Sequence, residues 1–352
     1  MDASGSRQCT TCFMTEDFPG VRVEENGSCT ICNGYDLVSY AESRTTSNLD
    51  ELKRVAETMK QNRTGRYDCV IGASGGLDSS YVLYIAKRVL GLNPLVVNYD
   101  HGFGFDAAIE NLERMCEDLG VDLRRLTCPK RADWKFVRHT VQALRPIGIY
   151  WSVCAFCHYV CSAVSYKVAL EENVGYIMGS ANPYQKSLHL TKKFRLRRIV
   201  KALRSQSPFG MLRTFYHLAV ARYHLLRVAL DFYVGPPSNL LMRFRPPKSV
   251  KRVDVTKYVP WDIYDMVETM ERETRWRVPP DPGFPMRFDC RIEAGLLDAT
   301  YKNVTGLTVH GIVSCNLVYG KLKIKSDLEE VVKRYDENLE RRTRDVMEML
   351  DL

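Results

Sequence analysis

The chain has 352 residues, of which 45% are apolar and 26% charged, and its formal net charge is +8. These values exclude an intrinsically disordered or fibrous protein and allow one large or two modest domains with a substantial core. The stretch from Met1 to Arg7 is polar and lacks the basic region and apolar core of a secretory signal peptide, so we expect a cytoplasmic protein.

A cysteine-bearing module is predicted first, in residues 1–40. It contains two C-x-x-C pairs separated by 16 residues, Cys9 with Cys12 and Cys29 with Cys32. Paired thiols at this spacing are typical of two knuckles that close on one tetrahedral Zn²⁺, rather than of disulfide bridges. Because so short a module has little core without metal, we expect a structural zinc ribbon. Contact with nucleic acid and docking of a partner are the alternatives.

An α/β domain is predicted in residues 41–190. Apolar runs predict strands at 67–73, 93–99, 122–126 and 174–179, and amphipathic stretches predict helices at 48–60, 79–90, 107–119 and 160–171. This alternation indicates parallel strands joined by right-handed crossovers, with helices on both faces of the sheet. Ligands of such a sheet bind at the carboxyl ends of its strands.

The run ASGGLDSS, from Ala73 to Ser80, joins the first predicted strand to its helix. Its glycines let backbone N–H groups turn toward a polyanion, the start of the helix adds partial positive charge, and its serines can donate to phosphate oxygens. Asp78 would repel phosphate unless a cation lay between them, so we expect it to hold Mg²⁺. The alternative is an ordinary Gly-Ser turn with an aspartate cap.

The motif Ser-Gly-Gly-x-Asp-Ser in this run resembles the signature of the PP-loop ATP pyrophosphatases, and NYDHG at 98–102 is similar to their second nucleotide-side motif. Within that superfamily the chain most resembles the N-acetyl sugar amidotransferases of surface-polysaccharide (lipopolysaccharide O-antigen) biosynthesis. This resemblance lies in CTTCFMTEDFPGVRVEENGSCTIC, the loop itself, CAFCHYVCSAVSYKVALEENV and MGSANP. The chain departs from that family at Ala181, where a glutamate is usual, and in a basic segment after Lys186.

The resemblance implies a PP-loop fold of the adenine nucleotide alpha hydrolase-like type and an adenylating enzyme that uses ATP and Mg²⁺. In that family the acetamido oxygen of a nucleotide-linked N-acetyl sugar is adenylated with release of pyrophosphate. Ammonia from a glutaminase subunit then displaces AMP and leaves an acetamidino group. The expected catalytic residues are Asp78, Ser79 and Asn182, the last as a substrate-orienting amide or, alternatively, a turn residue. The expected nucleotide-binding residues are Ala73, Ser74, Gly75, Gly76, Asp78, Ser79, Ser80, Asn98, Asp100 and Gly179.

A second cysteine site is predicted from Cys154-x2-Cys157-His158 and the late Cys290. Sulfur-inserting members of the superfamily, such as tRNA thiolation enzymes, have a C-x-x-C in a comparable place and a third cysteine much later, which together hold an iron–sulfur cluster with one open iron. A [4Fe-4S] cluster, or a zinc with an exchangeable ligand, would suit three such thiolates; ordinary buried thiols are the alternative. An iron–sulfur-dependent sulfur transferase acting on tRNA or a small molecule is therefore a second hypothesis. A nonenzymatic zinc-ribbon adaptor that binds nucleotide is a third.

A basic helical insertion is predicted in residues 191–252. Between Lys186 and Arg252 there are 16 lysines and arginines against the single acid Asp231, a local balance of +15. An amphipathic helix over 209–234 is expected here. One stripe of that helix would contain Arg213, His217, His224 and Arg227. Four partners are expected for the segment at 186–252. It could bind the inner face of an anionic membrane, an RNA backbone, the nucleotide-sugar substrate, or a second subunit of a homodimer.

A helical region in residues 253–352 is predicted to complete the active site. Its predicted helices are 261–275 and the charged last 25 residues, and a proline-rich stretch at 279–285 leads into Asp289 and Cys290.

Overall fold

The structure, a computed structural model, describes residues 6–18, 20–34, 48–182, 206–231, 247–279, 288–320 and 322–352. A five-stranded parallel sheet lies at its centre. The strands are β1 Cys69–Gly72, β2 Pro94–Tyr99, β3 Asp122–Leu126, β4 Tyr176–Gly179 and β5 Lys251–Asp254. The predicted parallel α/β fold and its four predicted strands are confirmed. The fifth strand was not predicted, because its start at Lys251 lies within the segment assigned to the basic insertion.

The strand order is β3-β2-β1-β4-β5, so β1 lies in the middle. The chain moves outward from β1 through β2 to β3, then crosses back to β4 on the other side of β1. Right-handed connections that run in opposite directions place their helices on opposite faces of the sheet. β1 and most of β2 are buried, whereas the edge strands β3 and β5 carry arginines and aspartates, which keep an edge from pairing with another chain.

Helices follow the strands and cover the sheet. They are α1 Thr30–Gly34, α2 Leu49–Gln61, α3 Leu77–Tyr84, α4 Asp106–Leu119, α5 Ala132–Leu144, α6 Trp151–Glu171, α7 Pro208–Asp231, α8 Ile263–Glu273, α9 Asp298–Thr305, α10 Val309–Tyr319, α11 Lys325–Glu337 and α12 Leu339–Met349. π-Helical turns at Ile85–Val89 and Glu293–Leu297 extend α3 and precede α9. The helix predicted for the last 25 residues is divided into α11 and α12 at Asn338.

The helix α6 begins at Trp151, nine residues before the predicted start at residue 160. Val153, Phe156 and Val160 are buried, which favours helix through the C-x-x-C-H stretch, for which sequence reasoning predicted a metal site. Among the described residues, α6 is the helix whose length and composition would suit a membrane span. Its residues pack on β1, β2 and β4, as in a core helix.

The cysteine module packs on the C-terminal helices. The Cys12 Sγ lies 3.2 Å from the Tyr319 hydroxyl at the end of α10, and Lys325 Nζ donates to the Cys9 carbonyl at 2.9 Å. The apolar residues of the module join the same hydrophobic core as the sheet. The ribbon is therefore part of the folded body, and a disturbance of its cysteines reaches α10 directly.

The helix α7 packs on α5 through one narrow face, which we call the seam. Its members recur at alternating steps of three and four residues and are buried or half-buried. They are Thr214, His217, Ala221, His224 and Val228. A helix in this stretch is confirmed, and it is the histidine stripe that faces the protein. The remainder of the predicted insertion, at 191–205 and 232–246, lies outside the described residues.

Three histidines meet at the contact between α5 and α7. The Nδ1 atoms of His139 and His217 are 3.1 Å apart, so one ring donates and the other accepts, and the ring of His224 stacks on His139 at 6.0 Å. Burial lowers the pKa of all three. The neighbouring cations lower these pKa values further. They are Arg138 beside His139, Arg213 beside His217, and Lys135 beside His224.

We predict that the packing of α7 on α5 weakens as the pH falls below the ordinary histidine value of 6.5. Because the folded pKa values are lowered, the unfolded segment binds more protons than the folded one in this range. The contribution to stability is therefore fully present above 6.5 and is lost as the pH decreases. Amide hydrogen exchange of α7, corrected for intrinsic rates, should show more opening at about pH 5.5 than at about pH 7.5.

The variant His217→Gln with His224→Gln is the matched comparison, since glutamine keeps polar side chains on the seam but does not titrate. Its opening should depend less on pH. Equal acceleration of opening in both proteins would show that other groups cause the effect.

Candidate functional site

A cavity of about 550 Å³ opens at the carboxyl ends of β1, β2 and β4. This is the point at which the strand order reverses, with β2 and β3 on one side of β1 and β4 and β5 on the other. Connections that leave in opposite directions produce a crevice there, which is where open α/β sheets bind ligands. The volume is within the range of small-molecule sites.

The loop after β1 closes on itself at the start of α3. Gly75 has φ +85°, and a Cβ on it would lie 1.8 Å from the Ala108 carbonyl oxygen. The Ser79 hydroxyl accepts from the Ser74 N–H at 3.3 Å and donates to the Gly76 carbonyl at 3.2 Å. The first turn of α3 lines the cavity, so the N-terminal end of the helix is available to an anion.

The carboxylate of Asp78 is held from two sides. Asn182, after β4, donates to its two oxygens at 2.9 and 3.1 Å, and Trp261 Nε1 donates to Oδ1 at 2.8 Å. The side chains of Asn182 and Trp261 are themselves buried. Two residues expected to act together, Asp78 and Asn182, are thus in contact across the crevice between β1 and β4.

Residues from the C-terminal region complete the loop. Trp276 Nε1 donates to the Gly75 carbonyl at 3.0 Å, and the Ser74 hydroxyl donates to Asp289 Oδ2 at 2.8 Å. The segment that carries Asp289 is anchored by a hydrogen bond from the Arg291 N–H to the Phe103 carbonyl at 2.8 Å. Sequence reasoning missed Trp261, Trp276 and Asp289 as site residues. Two features of the sequence could have indicated them. The two tryptophans stand in an otherwise polar stretch, and Asp289 directly precedes Cys290, which was predicted as a metal ligand.

Most of the expected nucleotide-binding residues lie on the cavity wall. They are Ala73, Ser74, Gly76, Asp78, Ser79, Asn98, Asp100 and Gly179. Asn98 joins the ends of two strands, because its Nδ2 donates to the Ala73 carbonyl at 2.8 Å. Ser80 is 1% exposed and is not among the residues that line the cavity, so its expected contact with nucleotide stays a prediction.

Arg252 and His101 are among the polar groups on the wall that were not predicted. Arg252 of β5 lines the cavity beside Gly179. A Cβ atom added to Gly179 would lie 3.4 Å from Nη2 of Arg252. His101 accepts at Nδ1 from the Phe103 N–H at 3.1 Å, and burial lowers its pKa, which favours the neutral imidazole. Arg252 can therefore pair with an anionic ligand, and the His101 ring can donate a hydrogen bond beside it without adding charge.

Four thiols are among the residues that line the cavity, and we call them the thiol wall. It consists of Cys154, Cys157, Cys161 and Cys290. Hydrogen bonding with Cys161 raises the pKa of Cys157, and the same contact lowers the pKa of Cys161. His158 Nε2 lies 3.2 Å from a Glu293 carboxylate oxygen at the rim. The predicted set of Cys154, Cys157 and Cys290 is therefore gathered at one cavity, and Cys161 was missed.

Donor atoms of the thiol wall do not form a closed ion site. In the described part of the chain, one group of His, Cys, Asp or Glu side chains has at least three donor atoms that all lie within 4.8 Å of one another. It is the ribbon set of Cys9, Cys12, Cys29 and Cys32. A cluster at the thiol wall remains a prediction.

The ribbon cysteines fit a zinc ion. A regular tetrahedron with Zn–S bonds of about 2.3 Å has S···S edges of about 3.8 Å. The Sγ atoms of Cys9 and Cys32 are 3.8 Å apart, and those of Cys12 and Cys29 are 3.9 Å apart. Backbone N–H groups of Cys12 and Cys29 donate to the Cys9 sulfur at 3.4 and 3.2 Å. Such bonds favour thiolates over thiols, as zinc requires.

Comparisons with known proteins identify no family. No protein-family model matches the chain. A stretch of 79 residues, 22% of the chain, is 34% identical to an uncharacterised protein of Methanocaldococcus jannaschii, and the match spans 28% of that protein's length.

A solved structure similar to the chain is an NH3-dependent NAD synthetase from Campylobacter jejuni in complex with nitrate. The sequence identity is 15% and the TM-score is 0.32, over 50% of this chain and 93% of that one. A likeness at this level assigns neither a fold family nor an activity.

We predict that the protein carries one equivalent of zinc and that Cys12→Ser removes it. The loss should also lower Tm by several degrees, because Cys12 contacts Tyr319 of α10. Metal analysis and a thermal scan measure both effects. The matched control is Cys116→Ser, which removes a buried thiol of α4 outside the ribbon and should retain the zinc. Full zinc content in Cys12→Ser would contradict the ribbon assignment.

We predict that Gly75→Ala weakens binding of inorganic pyrophosphate by at least about 10-fold, because the loop must move away from Ala108. Gly120→Ala is the control, since Gly120 also has positive φ, at +57°, but a Cβ there meets nothing within 4 Å. Titration calorimetry measures binding, and urea unfolding separates it from stability. Equal affinity in the two variants would exclude the loop as the phosphate site.

Proposed function

We propose that this chain is an ATP-dependent amidotransferase that converts an acetamido group of a nucleotide-linked N-acetyl sugar to an acetamidino group, in surface-polysaccharide biosynthesis. The observation that supports it best is the phosphate-type loop with Asp78 fixed by Asn182 and Trp261 at the mouth of a cavity. Three of the four motifs that resemble the sugar amidotransferases, the loop, the C-x-x-C-H stretch and MGSANP, contribute residues to the wall of this cavity.

The reaction has two steps. The acetamido oxygen attacks the α-phosphorus of ATP, the bond to the β-phosphate oxygen breaks, and pyrophosphate leaves. Ammonia then adds to the activated carbon, the C–O bond breaks, and AMP leaves with the electron pair of that bond, so that an amidine remains. A separate glutaminase subunit would supply the ammonia.

The chain's own residues contribute mainly positioning and charge. Backbone N–H groups of the first turn of α3 would provide donors for the phosphates, and the hydroxyls of Ser74 and Ser79, which donate to Asp289 and Gly76 here, would turn to the phosphates when ATP binds. Arg252 lines the same cavity and would neutralise negative charge on the leaving pyrophosphate. Asp78 and Asp289 provide oxygen ligands suited to Mg²⁺, which would neutralise phosphate charge when bound. Asn182 is engaged with Asp78, so it acts by orienting that carboxylate as well as by any contact with substrate.

Asp78→Asn should lower the rate of AMP and pyrophosphate formation by at least about 100-fold, because the variant keeps the size of the side chain but loses its charge. The assay contains ATP, Mg²⁺, ammonia and a panel of nucleotide-linked N-acetyl sugars. Asp265→Asn, at an exposed position of α8, is the control and should keep the wild-type rate. Absence of AMP formation by the wild-type protein with every member of the panel would exclude the amidotransferase.

A sulfur transferase is the second candidate, and the thiol wall favours it. Cys157, Cys161 and Cys290 line the same cavity as the loop, so a sulfur nucleophile held on them would share that cavity with the activated carbonyl. Protein prepared without oxygen should then contain iron and acid-labile sulfide, and Cys157→Ser should lose both. An iron-free protein that is active with ammonia excludes this candidate. Survival of ATP with every candidate substrate, together with nucleotide binding that is unchanged in Asp78→Asn, would instead favour a nonenzymatic nucleotide-binding adaptor.

A further inference from the structure

The helix α7 exposes an unusual amount of apolar surface. Nine of the twelve exposed large hydrophobic side chains in the described residues lie on this one helix. Leu212 is 67% exposed, Phe215 is 59% exposed, and Leu230 is 61% exposed. Scattered exposed hydrophobic residues are normal, but a contiguous apolar stripe marks a binding surface.

The arrangement of the helix explains why this stripe is left uncovered. The seam of small residues and histidines occupies the face toward α5, so the large side chains point away from the protein. We call this side the outer face of α7. Its exposed members are Phe209, Leu212, Phe215, Tyr216, Tyr223 and Leu230. They recur at steps suited to one side of a helix, over a length of roughly 30 Å.

Positive charge surrounds the outer face. Arg213, Arg222 and Arg227 are exposed on α7 beside the apolar side chains. In the sequence the helix lies within the segment 186–252, whose balance is +15. The surface therefore combines Leu, Phe and Tyr with arginine at its flanks, which is the composition of helices that lie in the interface of an anionic bilayer.

Other occupants fit these observations less well. In a symmetric contact between two copies, each outer face would bring Arg213, Arg222 and Arg227 against the same arginines of the other copy, which is repulsive. RNA would engage the arginines and stack on aromatic rings, but it would leave the aliphatic Leu212 and Leu230 without partners. A membrane-spanning arrangement is excluded because three arginines lie along the middle of the helix.

We propose that α7 is a membrane-surface anchor, which lies in the plane of an anionic lipid bilayer with its outer face in the acyl region. The seam holds the helix on α5, so binding needs no unfolding of α7. This surface is independent of the chemistry proposed for the cavity, and its test does not require activity.

The experiment is flotation of the full-length protein with vesicles. Wild-type protein should float with vesicles of equal phosphatidylglycerol and phosphatidylcholine and much less with pure phosphatidylcholine. Leu212→Ser with Leu230→Ser should lower the partition coefficient by at least about 10-fold, since each leucine buries most of its side chain in the bilayer. Leu170→Ser with Ile324→Ser is the matched control, because both residues are exposed hydrophobics outside α7 and should leave flotation unchanged.

Two further measurements decide between occupants. Sedimentation velocity without lipid should give a monomer for the wild type. Fluorescent poly(U) should bind with the same affinity to the wild type and to a Phe215→Ser, Tyr223→Ser variant, which loses exposed rings on which bases would stack. Dimerisation that the Leu212→Ser, Leu230→Ser variant abolishes would overturn the proposal in favour of a second copy. Poly(U) affinity that falls in the Phe215→Ser, Tyr223→Ser variant would overturn it in favour of RNA. Failure of the wild type to float with anionic vesicles would overturn it outright.

Discussion

The carboxylate of Asp78 is the point at which the parts of the structure meet. It belongs to the first turn of α3, and it accepts from Asn182 after β4 and from Trp261 before α8. Hydrogen bonds to an ionised group contribute about 1.5–3 kcal/mol each, so this carboxylate joins the two strands beside the crevice to the C-terminal region. The position of the phosphate-type loop in the cavity depends on these bonds.

The C-terminal region also holds the same loop through two hydrogen bonds. Trp276 binds the carbonyl of Gly75, the residue whose left-handed backbone turns the loop, and Asp289 accepts from Ser74. The zinc-type ribbon reaches the same body through the contact of Cys12 with Tyr319. The ribbon, the sheet and the last helices therefore belong to one packed body, and the chemistry proposed for the cavity takes side chains both from the loop and from the segments packed around it.

The helix α7 has two faces with different tasks. Its seam needs small residues, because Ala221 and Thr214 let the two helices approach closely, and its histidines fill the remaining space while neutral. The large apolar side chains are then forced to the outside, next to arginines. An amphipathic pattern alone is compatible with either orientation, and the contact with α5 selects one of them.

The sequence by itself determined the features that depend on near neighbours. The buried run of β1 and the glycines after it predicted a strand and a phosphate-type turn, and the spacing of Cys9, Cys12, Cys29 and Cys32 predicted the ribbon, because a turn or a pair of knuckles is built from adjacent residues. Only the tertiary structure decided the order of the strands and the partners of Asp78. Asn182 and Trp261 lie 104 and 183 positions away along the chain, and no local pattern encodes a contact at that separation. The inward position of Ser80, the addition of Cys161 to the thiol wall, and the outward face of α7 have the same cause. Each depends on what packs against the element, and that packing is a property of the folded chain.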